Sequence, residues 1–228
     1  MIIPKLKFSL YGLIIVLSIF IGLFYIFRNL KKSGYYNKKI ILFILLFIPC
    51  AFVFGKIYTL ITDPEQKSII TVGLSAYGGL IGVIIASIIF EYIVPTNKMI
   101  IKYSVLSLPL IYGLTKIACF ISGCCYGIPY NGPLYVIYPD GLNIPQFPVQ
   151  ITETIASLIV FVICNKLKNN KYIIYITLLL TSFVKFSLDF LRYDHIKKII
   201  TPNQIFSIIL VIITIIIFVY QKRRKYGK

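Results

Sequence analysis

Lys116-Ile117-Ala118-Cys119-Phe120-Ile121-Ser122-Gly123-Cys124-Cys125-Tyr126-Gly127 ends a long apolar run that carries a lysine, then breaks into glycines and paired cysteines. A charged side chain inside hydrocarbon is expensive and marks a functional site by default. The plainer reading is that Lys116 stretches its ammonium to a nearby interface. What separates the two is whether other apolar runs bring polar groups to the same depth.

Working outward, such runs recur along the whole chain. Each is roughly 20 residues long, the length a helix needs to cross ~30 Å of hydrocarbon. Of the 228 residues, 58% are hydrophobic and 14% charged, against about 25% charged in ordinary soluble domains. These numbers exclude a soluble globular class. They predict an all-α integral membrane protein, a seven-transmembrane-helix bundle with short loops, with residues 1–228 forming a single transmembrane domain. The spans are expected at about 8–27, 40–62, 69–94, 103–123, 149–165, 172–191 and 203–220, with one sizeable outer loop at 124–148. The first run is long enough to span and ends on a basic stop, unlike a cleavable signal peptide.

The formal net charge is +17. The basic residues sit between apolar runs rather than on one face, which speaks for a membrane and against nucleic acid as the partner. Connections 28–39, 95–102 and 166–171 and the C-terminal tail carry fifteen of the 24 Lys and Arg residues. Lys5, Lys7, Lys67, Arg192, Lys197 and Lys198 fall on the other side. The excess predicts a cytoplasmic C-terminus and an outside N-terminus.

With ~1.5 Å of rise per residue, the remaining polar residues fall within ~12 Å of the outer surface. Lys56 lies in span 2, Tyr77 in span 3, Lys116 in span 4, Glu153 in span 5, and Lys185 and Asp189 in span 6. Tyr11 and Gln204 lie near the outer ends of spans 1 and 7. Lys185 and Asp189 are spaced i,i+4 and can neutralise each other. Lys116, Cys119 and Gly123 share a face, with the glycine permitting close approach. A cationic pocket beneath the outer leaflet suits the phosphate of an anionic lipid. Glu91, at the inner end of span 3, reads as a boundary charge. The 124–148 loop, rich in proline, glycine and tyrosine, reads as either a lid or a rigid connector.

Several stretches in this order resemble bacterial prolipoprotein diacylglyceryl transferases. They are Tyr11-Gly12-Leu13, Gly78-Gly79-Leu80-Ile81-Gly82, Gly123-Cys-Cys-Tyr-Gly127, Pro148-Val-Gln150-Ile-Thr-Glu153 and Lys185…Asp189-Phe-Leu-Arg192…Gln204. The resemblance implies a multi-pass enzyme of the bacterial cytoplasmic (inner) membrane. Such an enzyme moves diacylglyceryl from phosphatidylglycerol to the lipobox cysteine thiol of a preprolipoprotein peptide, with glycerol phosphate leaving. It implies Lys116, Lys185, Glu153 and Tyr77 as catalytic residues. It implies Tyr11, Lys56, Gly78, Gly79, Cys119, Gly123, Cys124, Gly127, Gln150, Asp189 and Gln204 as substrate-binding ones. Membrane lipids are the expected surroundings, and no cofactor is expected.

Lys56, Lys116 and Lys185 stand where the family resemblance implies arginines. Lysine keeps the charge but loses the bidentate fork. Tyr77 and Phe147 stand at positions of family histidines, Cys119 at an asparagine and Cys124 at an acidic residue. Glu153 or Tyr77 would then handle the thiol proton. His195, the only histidine, reads as a solvated loop residue. The alternative is a non-catalytic relative that binds anionic lipid or a protein partner. A transporter is disfavoured because the polar cluster lies near one surface. Cys119, Cys124 and Cys125 read as small packing residues. A metal site is not expected there, since no fourth ligand is spaced to join them, and a redox thiol pair is the other reading.

Overall fold

A computed structural model of the chain describes residues 8–36, 38–62, 73–138, 142–196 and 198–226. Lys5, Lys7, Lys67, Lys197 and Lys228, which entered the charge count, lie outside them. Among the described residues there are seven α-helices and no strand. They are α1 (Phe8–Lys32), α2 (Ile40–Thr62), α3 (Ala76–Ile93), α4 (Met99–Ser122), α5 (Val149–Lys166), α6 (Ile173–Asp189) and α7 (Pro202–Tyr226). Six of the seven are long and apolar enough to cross a membrane. The remaining helix, α6, has 17 residues.

The exposed surface is greasy. Along α7, Ile205, Ile208, Ile209, Ile212 and Ile216 all face outward, while Ser207 and Thr214 are buried. Water would penalise such a surface, and lipid does not. The chain is therefore a multi-pass helical membrane protein.

The chain divides into two compact units. One comprises residues 1–20 and 109–228, and the other residues 21–108. In the smaller unit, α2 packs on α3, and the contact is built on glycine. A Cβ at Gly78 would stand 2.1 Å from the Phe54 carbonyl oxygen, and one at Gly82 would stand 2.2 Å from that of Cys50. Only residues without a side chain allow backbones to approach so closely.

Span 3 was expected from residue 69, but α3 begins at Ala76. Ser75 has extended backbone and its hydroxyl accepts the Tyr77 amide, so it stops the helix as an N-cap. Glu91 proves to be more than a boundary charge. Its carboxylate accepts the backbone amides of Thr96 (3.0 Å) and Lys98 (2.8 Å), and also the Thr96 hydroxyl. Asn97 and Lys98 both have positive φ there, so this carboxylate ties down a tight α3–α4 turn.

In the larger unit, α6 packs against both α5 and α7. The 124–148 connection is a folded strap. Val136 and Gln146 exchange backbone hydrogen bonds of 3.0 and 2.9 Å, and Tyr130 N donates to Pro145 O. Val136 and Tyr138 are buried against Phe120 of α4 and Tyr126. Between the lid and the connector, the described part of the loop is the connector.

Candidate active site

Three side chains in the larger unit converge on one carboxylate, and a fourth sits on one of them. Glu153, on the second turn of α5, receives Lys116 Nζ of α4 at 2.9 Å, and both side chains are almost fully buried. The same carboxylate also receives Arg192 Nη2, at 3.1 Å from Oε1 and 3.3 Å from Oε2. The hydroxyl of Tyr112, one turn before Lys116 on α4, donates to Oε1 at 2.8 Å. The face of the Tyr112 ring then carries Lys185 of α6, with Nζ 3.8 Å from the centroid. That is a cation–π contact. Three cations from separate segments therefore surround one carboxylate and one aromatic ring.

Arg192 owes its position to two neighbours. Asp189, the last residue of α6, places Oδ1 3.8 Å from Arg192 Nε. Asp189 in turn accepts the Thr201 hydroxyl and the Asn203 amide. The strap fixes the backbone: Ile128 N donates to Leu191 O, and Tyr193 N to Tyr126 O, each at 3.0 Å. Gly127 makes this possible, because a Cβ there would stand 2.1 Å from the Phe147 carbonyl oxygen. Burial works against the guanidinium, but the Glu153 carboxylate outweighs it and holds Arg192 firmly charged.

The other expected residues divide in three ways. Gln150 donates to the Cys124 carbonyl at 2.7 Å and locks the loop to α5. Gly123 takes φ +62°, with the Tyr138 ring where a Cβ would sit. Cys119, Cys124 and Tyr11 lie within electrostatic reach of one another and of Lys116. Gln204 joins a different structure. Thr201 caps α7 by accepting the Gln204 amide, and Gln204 Oε1 accepts the Thr201 amide at 3.1 Å, with Pro202 at the first helical position. This is a capping box. Lys56, Tyr77, Gly78 and Gly79 belong to the smaller unit. There Tyr77 is buried with its ring 5.9 Å from that of Tyr58. Gly78 is filled by the α2 backbone, and Gly79 has its nearest atom at 3.8 Å.

Outside the spans, the Cys125 thiol is held well below the ordinary range, first by hydrogen bonds from the Cys119 and Cys124 thiols. Cys124 is raised: a bond from Cys119 lowers it, but bonding to Cys125 and burial outweigh that. Burial pushes Tyr138 up as well.

Two central residues escaped the sequence reading. Arg192 was counted among the outer surface charges, although it is one of only four arginines in a lysine-rich chain. Tyr112 carries no sequence motif, although it stands i,i+4 to Lys116. His195 is also a correction, because it is not a free loop side chain. Nε2 donates to Gln204 Oε1 at 3.0 Å, and the ring stacks on Phe190 at 4.7 Å.

Residues 1–220 match the family model described as prolipoprotein diacylglyceryl transferase. The chain belongs to that family. Among its curated relatives is the phosphatidylglycerol--prolipoprotein diacylglyceryl transferase of Clostridium tetani, 27% identical over 240 residues and covering 96% of each chain. The protein so named from Dehalococcoides mccartyi (strain 195) is 22% identical, over 94% of this chain and 90% of the relative. The Clostridium perfringens phosphatidylglycerol--prolipoprotein diacylglyceryl transferase 2 is 25% identical, over 93% and 91%. Such identities mark a divergent member of the prolipoprotein diacylglyceryl transferase family. The match spans both units, so the Lys116–Glu153–Arg192 cluster and the glycine-packed α2–α3 pair both fall within it.

Proposed function

We propose that this chain is a phosphatidylglycerol--prolipoprotein diacylglyceryl transferase of the bacterial cytoplasmic membrane, acting as one transmembrane domain with its C-terminus in the cytoplasm. Its substrates are phosphatidylglycerol and the lipobox cysteine of a preprolipoprotein. The observation that carries the reading is the buried meeting of Lys116, Arg192 and Lys185 around Glu153 and Tyr112. Three cations gathered at one buried place suit a phosphodiester better than any uncharged substrate.

In the reaction, the thiolate sulfur attacks the terminal glyceryl carbon of the diacylglyceryl group. A carbon–sulfur bond forms, and the bond from that carbon to the phosphate oxygen breaks. Glycerol phosphate leaves with the electron pair. Lys116 and Arg192 meet the charge that grows on the departing phosphate, a preorganised electrostatic role. Lys185, on the Tyr112 ring, supplies a third positive charge.

Glu153 holds the cations in place and has a second task. A carboxylate engaged by two cations and a phenol is a weak base. When the lipid phosphate competes for Lys116 and Arg192, the carboxylate is released and becomes able to take the thiol proton. Base and clamp are then coupled, so the base is armed only when lipid is present. Tyr77 is the other candidate for the proton, and Tyr11, Lys56, Gly79 and Gln150 are assigned to substrate binding. A buried Gln204 Nε2, which has no hydrogen-bond partner among the described residues, is a spare donor for the same lipid.

The test is incubation of the purified protein with labelled phosphatidylglycerol and a lipobox peptide. Thioether-linked product and glycerol phosphate should accumulate in equal amounts. A protein that binds the lipid but forms neither product would be the non-catalytic relative instead.

A further inference from the structure

The C-terminus of α4 carries a second cluster, to which the transfer mechanism above gives no step. The sulfurs of Cys119, Cys124 and Cys125 all lie within 4.8 Å of one another. All three are free thiols, with Cys119 and Cys124 half-buried and Cys125 the most open. Three thiolates around one ion at ~2.3 Å sit roughly 3.8–4.0 Å apart, so the cluster is nearly at ligand spacing before any ion enters.

The backbone holds it there. Cys124 N donates to the Cys119 carbonyl at 3.1 Å across the helix end, and Gln150 anchors the Cys124 carbonyl. Cys125 takes φ +57°, uncommon for a residue with a Cβ. It belongs to the strap pinned to Arg192 and α4. The Ser122 hydroxyl donates to Cys124 Sγ at 3.3 Å, a typical partner for a ligating sulfur. Lys116 and Arg192 both act electrostatically on Cys125, and would offset the negative charge of three thiolates around a small cation.

We propose that Cys119, Cys124 and Cys125 form a three-sulfur site for a thiophilic d10 cation, monovalent copper or zinc. Soft thiolates select these ions over harder ones. Sequence spacing argued against a metal because a fourth ligand was missing. That objection applies to a closed tetrahedral site and not to a three-coordinate ion, or to zinc completed by water. The bound ion would staple the end of α4 to the strap beside Lys116. The proposal stands apart from the transfer steps above, none of which uses these sulfurs, although the resemblance implied Cys119 and Cys124 as substrate-binding residues.

The full-length protein in detergent, reduced and stripped by chelator, is titrated separately with Cu(I) and Zn(II). Metal content is then measured after gel filtration. One ion per chain is expected, with higher thermal stability, and the two arms tell which ion binds more tightly. Cys125→Ser should lower affinity at least tenfold, as should Cys119→Ser. Cys50→Ser and Cys164→Ser, elsewhere in the chain, should leave uptake unchanged. Cd(II) added to the wild type should give a sulfur-to-metal charge-transfer band that Cys125→Ser removes, a readout independent of activity. Uptake indifferent to Cys119 and Cys125, or no uptake of either ion, overturns the proposal. It is also overturned if the protein purified without reductant hides two of these thiols from alkylation until reduced, because the trio is then a disulfide switch.

Discussion

At the scale of single residues, the site depends on one carboxylate that pairs with two buried cations. Glu153→Gln keeps the shape but leaves Lys116 and Arg192 facing an uncharged amide, with their side chains 6% and 12% exposed. Breaking a buried pair from one side costs about 3–5 kcal/mol. Thermal unfolding in detergent should therefore shift down markedly, and transfer should be lost with it. Unchanged unfolding would mean that the pairing contributes little. Tyr112→Phe keeps the ring beneath Lys185 and removes only the hydrogen bond to the carboxylate, at about 1.5–3 kcal/mol. Lys116 and Glu153 were legible in the sequence because a charge in an apolar run has no ordinary excuse. Arg192 was not, because a basic residue just past a helix end is the commonest thing in a membrane protein. Gln204 was readable in another way: Thr201-Pro202-Asn203-Gln204 is a helix-start signature, but its glutamine was assigned to lipid.

At the scale of elements, glycines do two different things. Gly78 and Gly82 let α2 and α3 touch backbone to backbone, whereas a Cβ at Gly79 would make only an ordinary 3.8 Å contact with the Ala51 carbonyl oxygen. Gly82→Ala should cost about 1–3 kcal/mol of stability through overpacking. Gly79→Ala should unfold like wild type. If Gly79 approaches the lipid, that variant loses transfer activity with its stability intact; measuring both readouts on both variants separates packing from binding. Hydropathy found the helices well, since a span must be long and apolar whatever it packs against. It could not find the start of α3, which a single hydroxyl cap decides. Nor could it tell strap from lid in 124–148, because the pairing of Val136 with Gln146 is a matter of backbone register, which composition does not carry.

At the scale of the molecule, the seven helices and the greasy outer surface follow from composition. Orientation rests on loop charge, and the proposed topology puts fifteen basic residues on the cytoplasmic side. Fusion of a fluorescent protein to the C-terminus should give bright cells, while alkaline phosphatase fused there should be inactive. The reverse pattern would put the cation cluster under the wrong leaflet. Fold and family were within reach of the sequence because both are spread over the whole chain. The meeting of Lys116, Glu153 and Arg192 was only half within reach, since it joins residues from α4, α5 and the turn after α6.

The central claim is that Lys116 and its partners receive the lipid phosphate as it leaves. The direct measurement is kcat/KM for transfer of labelled diacylglyceryl from phosphatidylglycerol to a lipobox peptide, wild type against Lys116→Ala. Losing one preorganised charge-stabilising group typically lowers the rate about 100- to 1000-fold, and that is the predicted fall. A Lys116→Ala enzyme that folds and transfers at the wild-type rate would contradict the account.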